Sequence, residues 1–216
     1  MTSPARLALV GDHLLDAAEQ APVARAVAGL GPDVEATWIP TTRVDESLAG
    51  FDGVWLTASP YQSETGITAA AGIARRAGIP LLGTCGGMQL AVTEFATEVA
   101  GLAEEEVLVP LSCSVGGDEC VVSATKGSLF ARALGAERTT ERYHCSYGLN
   151  PATTQRLTEH GLRFTGFDED QVVRVAELPG HPFFLGTLFQ PELADGAEAH
   201  PIIRAWAAAA AARRRG

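Results

Sequence analysis

The stretch IPLLGTCGGMQLA, at residues 79–91, is the most informative part of the chain, because it joins an apolar run to a glycine-rich turn that carries a cysteine. The apolar residues predict a buried strand, and the residues after Cys85 predict the start of a helix. Gly83, Gly86 and Gly87 remove the side chains that would crowd so tight a bend. Such a turn makes Cys85 a candidate nucleophile. The alternative is a buried structural cysteine beside a glycine-rich loop.

The predicted helix start gives Cys85 an electrostatic setting as well. Backbone N–H groups in the first turn of a helix have no helical partner and carry partial positive charge. They favour a thiolate at this position and can stabilise a developing oxyanion. The Gly86 N–H is the nearest donor of this kind. These features together favour a chemical role for Cys85 over a purely structural one.

Composition limits the class of protein. The chain has 216 residues, 46% of them hydrophobic, which is enough for a single domain over residues 1–216. Its formal net charge of −10 argues against a nucleic-acid partner, which would require a basic face. We expect the basic residues 213–215 to cap a final alanine-rich helix rather than to contact phosphate.

The cysteine pattern indicates the compartment. Cys85, Cys113, Cys120 and Cys145 lack the C-x-x-C spacing that is typical of zinc and thioredoxin-type sites. We expect neither a signal peptide nor a membrane span, and therefore a cytoplasmic protein with reduced thiols. We also expect no metal, no cofactor and no membrane partner.

The first half of the chain alternates strands and helices. Strands are predicted at residues 6–10, 34–39, 53–57 and 81–84, and helices at 14–29, 65–77 and 87–101. This order implies an α/β fold with a mostly parallel sheet, helices on both faces and a site at the carboxyl ends of the strands. Asp12, Ala58–Tyr61 and Cys85 fall at such ends. After Val107, shorter strand-like runs predict an antiparallel extension, closed by a helix at 202–214.

A second informative stretch is GTLFQPEL, at residues 186–193. We expect a strand to end at Phe189 and the following turn to present Gln190 and Glu192. Together with GTCGGMQ at 83–89, this resembles the class I glutamine amidotransferases, which have a Gly-x-Cys-x-Gly-x-Gln elbow and a late His-Pro-Glu turn.

The likeness is closest to the amidotransferase domain of CTP synthase. It is carried by residues 79–102, 141–151 and 171–192, and it extends from Leu7 to about Trp206. The resemblance implies a flavodoxin-like sheet with an antiparallel extension and a nucleophilic Cys85. We expect a stand-alone domain, because this sequence has no counterpart of the synthetase domain that binds UTP and ATP in that family.

The chain departs from this family at the positions that carry its chemistry. Gln190 stands where the family has the histidine base, and a neutral amide does not accept a proton near pH 7. Residues 58–61 read Ala-Ser-Pro-Tyr instead of the glycine-rich oxyanion loop, and Pro60 has no N–H. Ser146 replaces the arginine that binds the glutamine α-carboxylate. Other positions match the family: Gln89, Tyr147, Asn150 and Glu192.

The segment Tyr143-His144-Cys145-Ser146 lies where that family contacts glutamine. His144 could supply the missing base, and Cys145 a second thiol. A regular strand presents only one of these two residues to a pocket, because alternate side chains face opposite ways. Since Ser146 stands at the position of the arginine, parity favours His144. The alternative is ordinary strand packing. His181 and His200, each followed by proline, are predicted as loop residues.

The leading functional hypothesis is a CTP synthase-like amidotransferase homologue whose activity on free glutamine is lost or altered. Cys85 would attack an amide, nitrile or ester carbon of a small molecule, while Gln190 and Glu192 position it. A separate synthase or acceptor enzyme is a candidate partner. The residues expected to bind the oxyanion and the substrate are Ala58, Ser59, Gly86, Gln89, Ser146 and Tyr147.

Two other classes of function stay open. One is a redox or acyl-transfer enzyme that uses Cys85 with Cys145 and His144. The other is a non-catalytic module that binds a small molecule or a partner through the same pocket. The intact elbow favours chemistry, whereas Gln190 and Ser146 favour the loss of glutaminase activity.

Overall fold

The computed structural model describes residues 3–12 and 17–215, with the side chains of 17–20, 112–118, 143 and 144 outside the described part. The strands are β1 (Ala5–Val10), β2 (Val34–Ile39), β3 (Gly53–Leu56), β4 (Leu81–Thr84), β5 (Leu108–Ala124), β6 (Arg138–Leu149), β7 (Arg163–Phe167), β8 (Val173–Glu177) and β9 (Phe184–Thr187). The helices are α1 (Ala17–Ala28), α2 (Glu64–Ala77), α3 (Gly86–Glu98), α4 (Leu129–Leu134), α5 (Pro151–Glu159) and α6 (Pro201–Arg215).

The strands form one sheet in the order β2-β1-β3-β4-β9-β8-β7-β5-β6. The first five strands in this order are parallel to one another. The remaining four continue the sheet with antiparallel pairings. The predicted α/β class, with a mostly parallel sheet and an antiparallel extension, is confirmed.

Helices cover the parallel strands on both faces. In β3, the ring of Trp55 lies 5.7 Å from the ring of Trp206 in α6, in an edge-on arrangement. The next residue, Leu56, lies so close to Gly87 of α3 that a Cβ on that glycine would be 2.1 Å from the Leu56 carbonyl oxygen. Consecutive strand residues face opposite sides of a sheet, so α3 and α6 lie on opposite faces.

The element boundaries differ from the predicted ones where the backbone turns locally. The helix predicted to reach residue 101 ends at Glu98, and Gly101 adopts a positive φ of 62°. The strand predicted to end at Phe189 ends at Thr187. Residues 14–16 of the first predicted helix lie outside the described residues. None of the helices described here is long and apolar enough to cross a membrane.

Candidate active site

Cys85 lies between the last residue of β4 and the first residue of α3. Its backbone has φ 51° and ψ −113°, a conformation that is costly for a residue with a side chain. The Cys85 N–H donates to the Thr187 carbonyl at 2.8 Å, and the Cys85 carbonyl accepts from Gln89 N–H at 3.1 Å. A Cβ on Gly83 would be 2.9 Å from the backbone of Gly87. The predicted strand–turn–helix elbow is therefore present, and its glycines permit the close approach.

The second sulfur of the site belongs to Cys145 in β6. Its Sγ lies 2.8 Å from Cys85 Sγ and 3.3 Å from the Leu188 carbonyl oxygen. The S–S distance in a disulfide is about 2.05 Å, so the two sulfurs touch without being bonded. Only 6% of Cys85 and 4% of Cys145 is exposed. The structure thus brings together two thiols that are 60 residues apart in the chain.

The surroundings of Cys145 determine the protonation state of its thiol. The hydrogen bond with Cys85 raises the pKa of the Cys145 thiol well above its usual value, and burial raises it further. Cys145 therefore keeps its proton at neutral pH. Cys85, at the helix start, remains the candidate nucleophile.

Strand alternation predicts His144 rather than Cys145 beside the elbow, and for Cys145 this prediction is wrong. The β5–β6 ladder has register shifts between Pro110 and Val115 and between Gly116 and Glu119, which lie opposite this part of β6. Ser146 and Tyr147 are both exposed, so simple alternation is not kept after Cys145. The side chains of Cys113 and His144 lie outside the described residues, and the idea of a surrogate base stays a prediction.

Gln190 and Glu192 lie in the turn after β9. The Gln190 N–H donates to the Arg142 carbonyl at 3.0 Å, which ties this turn to β6. The Glu192 side chain is buried, and its Oε1 accepts from the Thr84 hydroxyl at 3.1 Å. Burial raises the pKa of the Glu192 carboxyl to about 7, and hydrogen bonds from its own backbone N–H, the Thr84 hydroxyl and the Gln190 side chain only partly oppose this. Glu192 therefore titrates close to neutral pH.

A buried contact between a histidine and a carboxylate near Glu192 was not predicted. His200 Nε2 lies 3.0 Å from Glu141 Oε1, which also accepts from the Thr139 hydroxyl at 2.7 Å. His200 lies in the loop before α6, as predicted, but its buried side chain and its contact with Glu141 were not predicted. The Glu141 charge adds to the rise in the pKa of Glu192. A cavity of about 10 Å³, large enough for about one water molecule, is lined in part by Arg25, Glu192 and His200.

The loop after β3 covers the elbow. A Cβ on Gly86 would lie 2.9 Å from the Tyr61 hydroxyl and 3.1 Å from the Ser59 backbone nitrogen. The Tyr61 hydroxyl donates to the Thr57 carbonyl. Burial raises the pKa of the Tyr61 phenol well above its usual value, and the nearby Cys85 and Glu192 groups add to this rise. Tyr61 therefore stays protonated beside the thiols.

Asp12, at the end of β1, holds this loop. Its carboxylate accepts from the Gln62 N–H at 2.7 Å and from the Thr41 N–H at 3.0 Å. The Thr41 hydroxyl also donates to Asp12 and accepts from the Ser63 N–H at 2.9 Å. These contacts join segments far apart in the chain. The sequence predicted the position of Asp12 but not its partners.

The remaining predicted substrate residues lie on the α3–β6 side. Gln89 Nε2 donates to the Tyr147 carbonyl at 2.8 Å, and Tyr147 itself is 50% exposed. Asn150 caps α5, because its Oδ1 accepts from the Ala152 N–H at 3.0 Å. Ala58 is half-buried and Ser59 exposed. Within the described part of the chain, no group of three or more acidic, histidine or cysteine side chains is arranged to hold a metal ion.

Comparisons with known proteins identify the family to which the chain belongs. The family model of glutamine amidotransferase class-I matches residues 14–209. CTP synthase of Rubrobacter xylanophilus is 36% identical over 204 residues, covering 82% of this chain and 37% of that protein. CTP synthase of Methanococcoides burtonii is 32% identical, covering 76% and 35% of the two chains. This chain therefore spans little more than a third of the length of these relatives.

A solved structure of a related domain has the same fold. The glutaminase domain of Trypanosoma brucei CTPS with bound acivicin superimposes with a TM-score of 0.84 and 25% identity. The match covers 96% of this chain and 94% of that one. The chain belongs to the class I glutamine amidotransferase family and is CTP synthase-like.

Proposed function

We propose that this amidotransferase-family protein does not hydrolyse glutamine, and that Cys85 and Cys145 act as a thiol pair that converts between dithiol and disulfide. The observation that carries the proposal is the 2.8 Å distance between the two sulfurs. A thiolate attacks a neighbouring sulfur directly, so proximity of this kind is the main geometric requirement for exchange. The proposal develops the redox alternative that the sequence left open.

The loss of glutaminase activity follows from the space around Cys85. A substrate carbon has to come within about 3.5 Å of the attacking sulfur. Cys145 Sγ already lies closer than that. Gln190 offers no proton acceptor in place of the imidazole, and the neutral Ser146 offers no charge for the α-carboxylate of glutamine.

The two thiols have different roles in this pair. Cys85 lies at the start of α3 and reacts first with an oxidant. Cys145 keeps its proton until it attacks the oxidised Cys85 sulfur, because the hydrogen bond with Cys85 and burial raise its pKa. The disulfide then replaces a contact that already exists, so little rearrangement of the side chains is required.

Diamide oxidation followed by peptide mapping tests the proposal. Diamide accepts the two hydrogen atoms that the thiols lose, and the pair becomes a disulfide. We expect a linked peptide pair containing Cys85 and Cys145, which dithiothreitol reverses. Cys85→Ser and Cys145→Ser abolish the link, whereas the control Cys120→Ser, at a half-buried cysteine outside the pair, leaves it intact. Failure of the wild-type protein to form this link contradicts the proposal.

A second candidate function is attack by Cys85 on an amide, nitrile or ester carbon. It is favoured by the Gly86 N–H at the start of α3 and by the Ser59 backbone nitrogen beside that glycine, two donors suited to an oxyanion. With an ester, the Cys85 sulfur would bond to the carbonyl carbon and the alcohol would leave with the thiol proton. A stable acyl adduct on Cys85 in the Cys145→Ser variant would favour this chemistry.

A further inference from the structure

We propose that the oxidant of the thiol pair is a small, uncharged hydroperoxide such as hydrogen peroxide, admitted past Tyr61, rather than a charged or bulky disulfide. This inference rests on the proposed thiol pair and names the class of molecule that reacts with it. It is drawn from how the two sulfurs are enclosed and from the charges of the groups around them.

Enclosure limits the size of the reagent. Cys85 and Cys145 are both buried, and each sulfur is covered on one side by the other. The Tyr61 hydroxyl lies over Gly86, directly beside Cys85. The loop that carries Tyr61 is fixed by the Asp12 carboxylate through the Gln62 N–H, at 2.7 Å. A reagent that reaches Cys85 from the side of this loop therefore meets an aromatic ring held in place.

Charge limits the reagent further. The Tyr61 hydroxyl is close enough to the exposed Glu64 for that carboxylate to act on it electrostatically. Arg174 acts on Cys145, but its guanidinium is bound to Asp168 at 2.7 Å. The exposed Glu64 repels an anionic reagent such as glutathione disulfide on this side, and a charged reagent also loses hydration on reaching two buried sulfurs, whereas a neutral one is affected by neither.

The chemistry of a hydroperoxide balances on these two residues. The Cys85 sulfur attacks one peroxide oxygen, the O–O bond breaks, and the other oxygen leaves as water with the thiol proton. Cys85 becomes a sulfenic acid and the peroxide is reduced by two electrons. Cys145 then attacks the Cys85 sulfur, a second water leaves with the Cys145 proton, and the disulfide forms. Hydrogen peroxide thus yields two waters and one disulfide.

The experiment compares three oxidants on the reduced protein. Hydrogen peroxide is small and neutral, tert-butyl hydroperoxide is neutral and bulky, and glutathione disulfide is charged and large. Each rate of Cys85–Cys145 disulfide formation is divided by the rate of the same oxidant with free glutathione thiol. We expect hydrogen peroxide to exceed glutathione disulfide by at least about tenfold on this scale. In Cys145→Ser, dimedone is expected to trap the Cys85 sulfenic acid.

Variants of Tyr61 separate the effect of its ring from that of its hydroxyl. We expect Tyr61→Ala to raise the rate with tert-butyl hydroperoxide by at least about fivefold, because the ring is removed. Tyr61→Phe keeps the ring and is expected to match the wild type, which also guards against an effect of misfolding. The control Val99→Ala removes an exposed apolar side chain at the opposite end of α3 from Cys85. It is expected to leave the three rates unchanged.

The outcomes distinguish the two proposals. If glutathione disulfide forms the Cys85–Cys145 link as fast as hydrogen peroxide does, the inference about the oxidant is overturned and the thiol pair stands. If Tyr61→Ala changes none of the three rates, the role of Tyr61 is overturned. If diamide and all three oxidants fail to link the two cysteines, the thiol pair itself is overturned.

Discussion

The two sides of the candidate site differ in what they keep of the family pattern. The elbow between β4 and α3 keeps its glycines and the strained φ of 51° at Cys85. The facing side, built from β6 and the turn after β9, carries Cys145, Ser146 and Gln190. Among its contacts with the elbow is that of Cys145, whose sulfur lies against both Cys85 Sγ and the Leu188 carbonyl.

This difference bears on function. A strained residue costs on the order of 1–3 kcal/mol and persists only where the surrounding structure enforces it. Here the elbow enforces the strained conformation of Cys85. The position that the resemblance assigns to the base is nevertheless occupied by the amide of Gln190. The facing side has changed, but the strained elbow has been kept. This combination favours a protein that still uses thiol chemistry over a purely non-catalytic module.

The largest expected effect is on glutamine hydrolysis. Loss of the base and of the carboxylate clamp lowers turnover by about three to six orders of magnitude. We therefore expect ammonia release from L-glutamine, followed with coupled glutamate dehydrogenase, to equal that of Cys85→Ala. Turnover of about one per second that Cys85→Ala abolishes would show that another residue serves as the base.

The elbow could be predicted from the sequence because its determinants are local. The spacing of Gly83, Gly86 and Gly87 around one cysteine, between an apolar strand and a helix, specifies the turn by itself. The alternation of strands and helices likewise predicted the parallel half of the sheet. Each of these features depends on residues within a few positions of one another.

The facing side could not be predicted in the same way, because its contacts join segments that are distant in the chain. Cys145 meets Cys85 across 60 positions, on a strand whose pairing with β5 shifts register. Tyr61 covers the elbow because Asp12 and Thr41 hold its loop, and Glu141 meets His200 across 59 positions. Strand alternation alone carries no information about such register shifts or about the contacts between β6 and the turn after β9.

The second prediction concerns the buried carboxyl of Glu192. Its pKa is raised from 4.5 to about 7 in the folded protein, so folding favours the protonated form. This contribution is complete below the unfolded pKa and is lost as the pH rises through about 7. The loss amounts to about 3 kcal/mol between pH 4.5 and pH 8.

Urea unfolding at several pH values measures this loss. The wild type is expected to lose that stability as the pH rises, whereas Glu192→Gln removes the corresponding slope. The control Glu35→Gln, at an exposed carboxylate of β2, is expected to keep the wild-type slope. Parallel pH profiles for the wild type and Glu192→Gln would mean that Glu192 is ionised throughout this range.

The third prediction compares the thiols directly. Cys85 lies at a helix start, whereas the hydrogen bond with Cys85 and burial raise the pKa of Cys145. We expect iodoacetamide to modify Cys85 at least about tenfold faster than Cys145 at pH 8, as read for each cysteine by mass spectrometry. Faster modification of Cys145 would reverse the assigned roles of nucleophile and second thiol.

The smallest expected effect is that of restoring the base alone. Gln190→His places an imidazole in the turn after β9, next in space to the buried Glu192, yet Cys145 still lies 2.8 Å from the Cys85 sulfur. Ser146 still provides no charge for the α-carboxylate of glutamine. We expect ammonia release by this variant to stay at the level of Cys85→Ala. A rise of about tenfold or more in the rate of ammonia release would show that only the base was missing and that the facing side still leaves room for glutamine. Adding Cys145→Ser to Gln190→His then tests whether the second sulfur is what excludes the substrate.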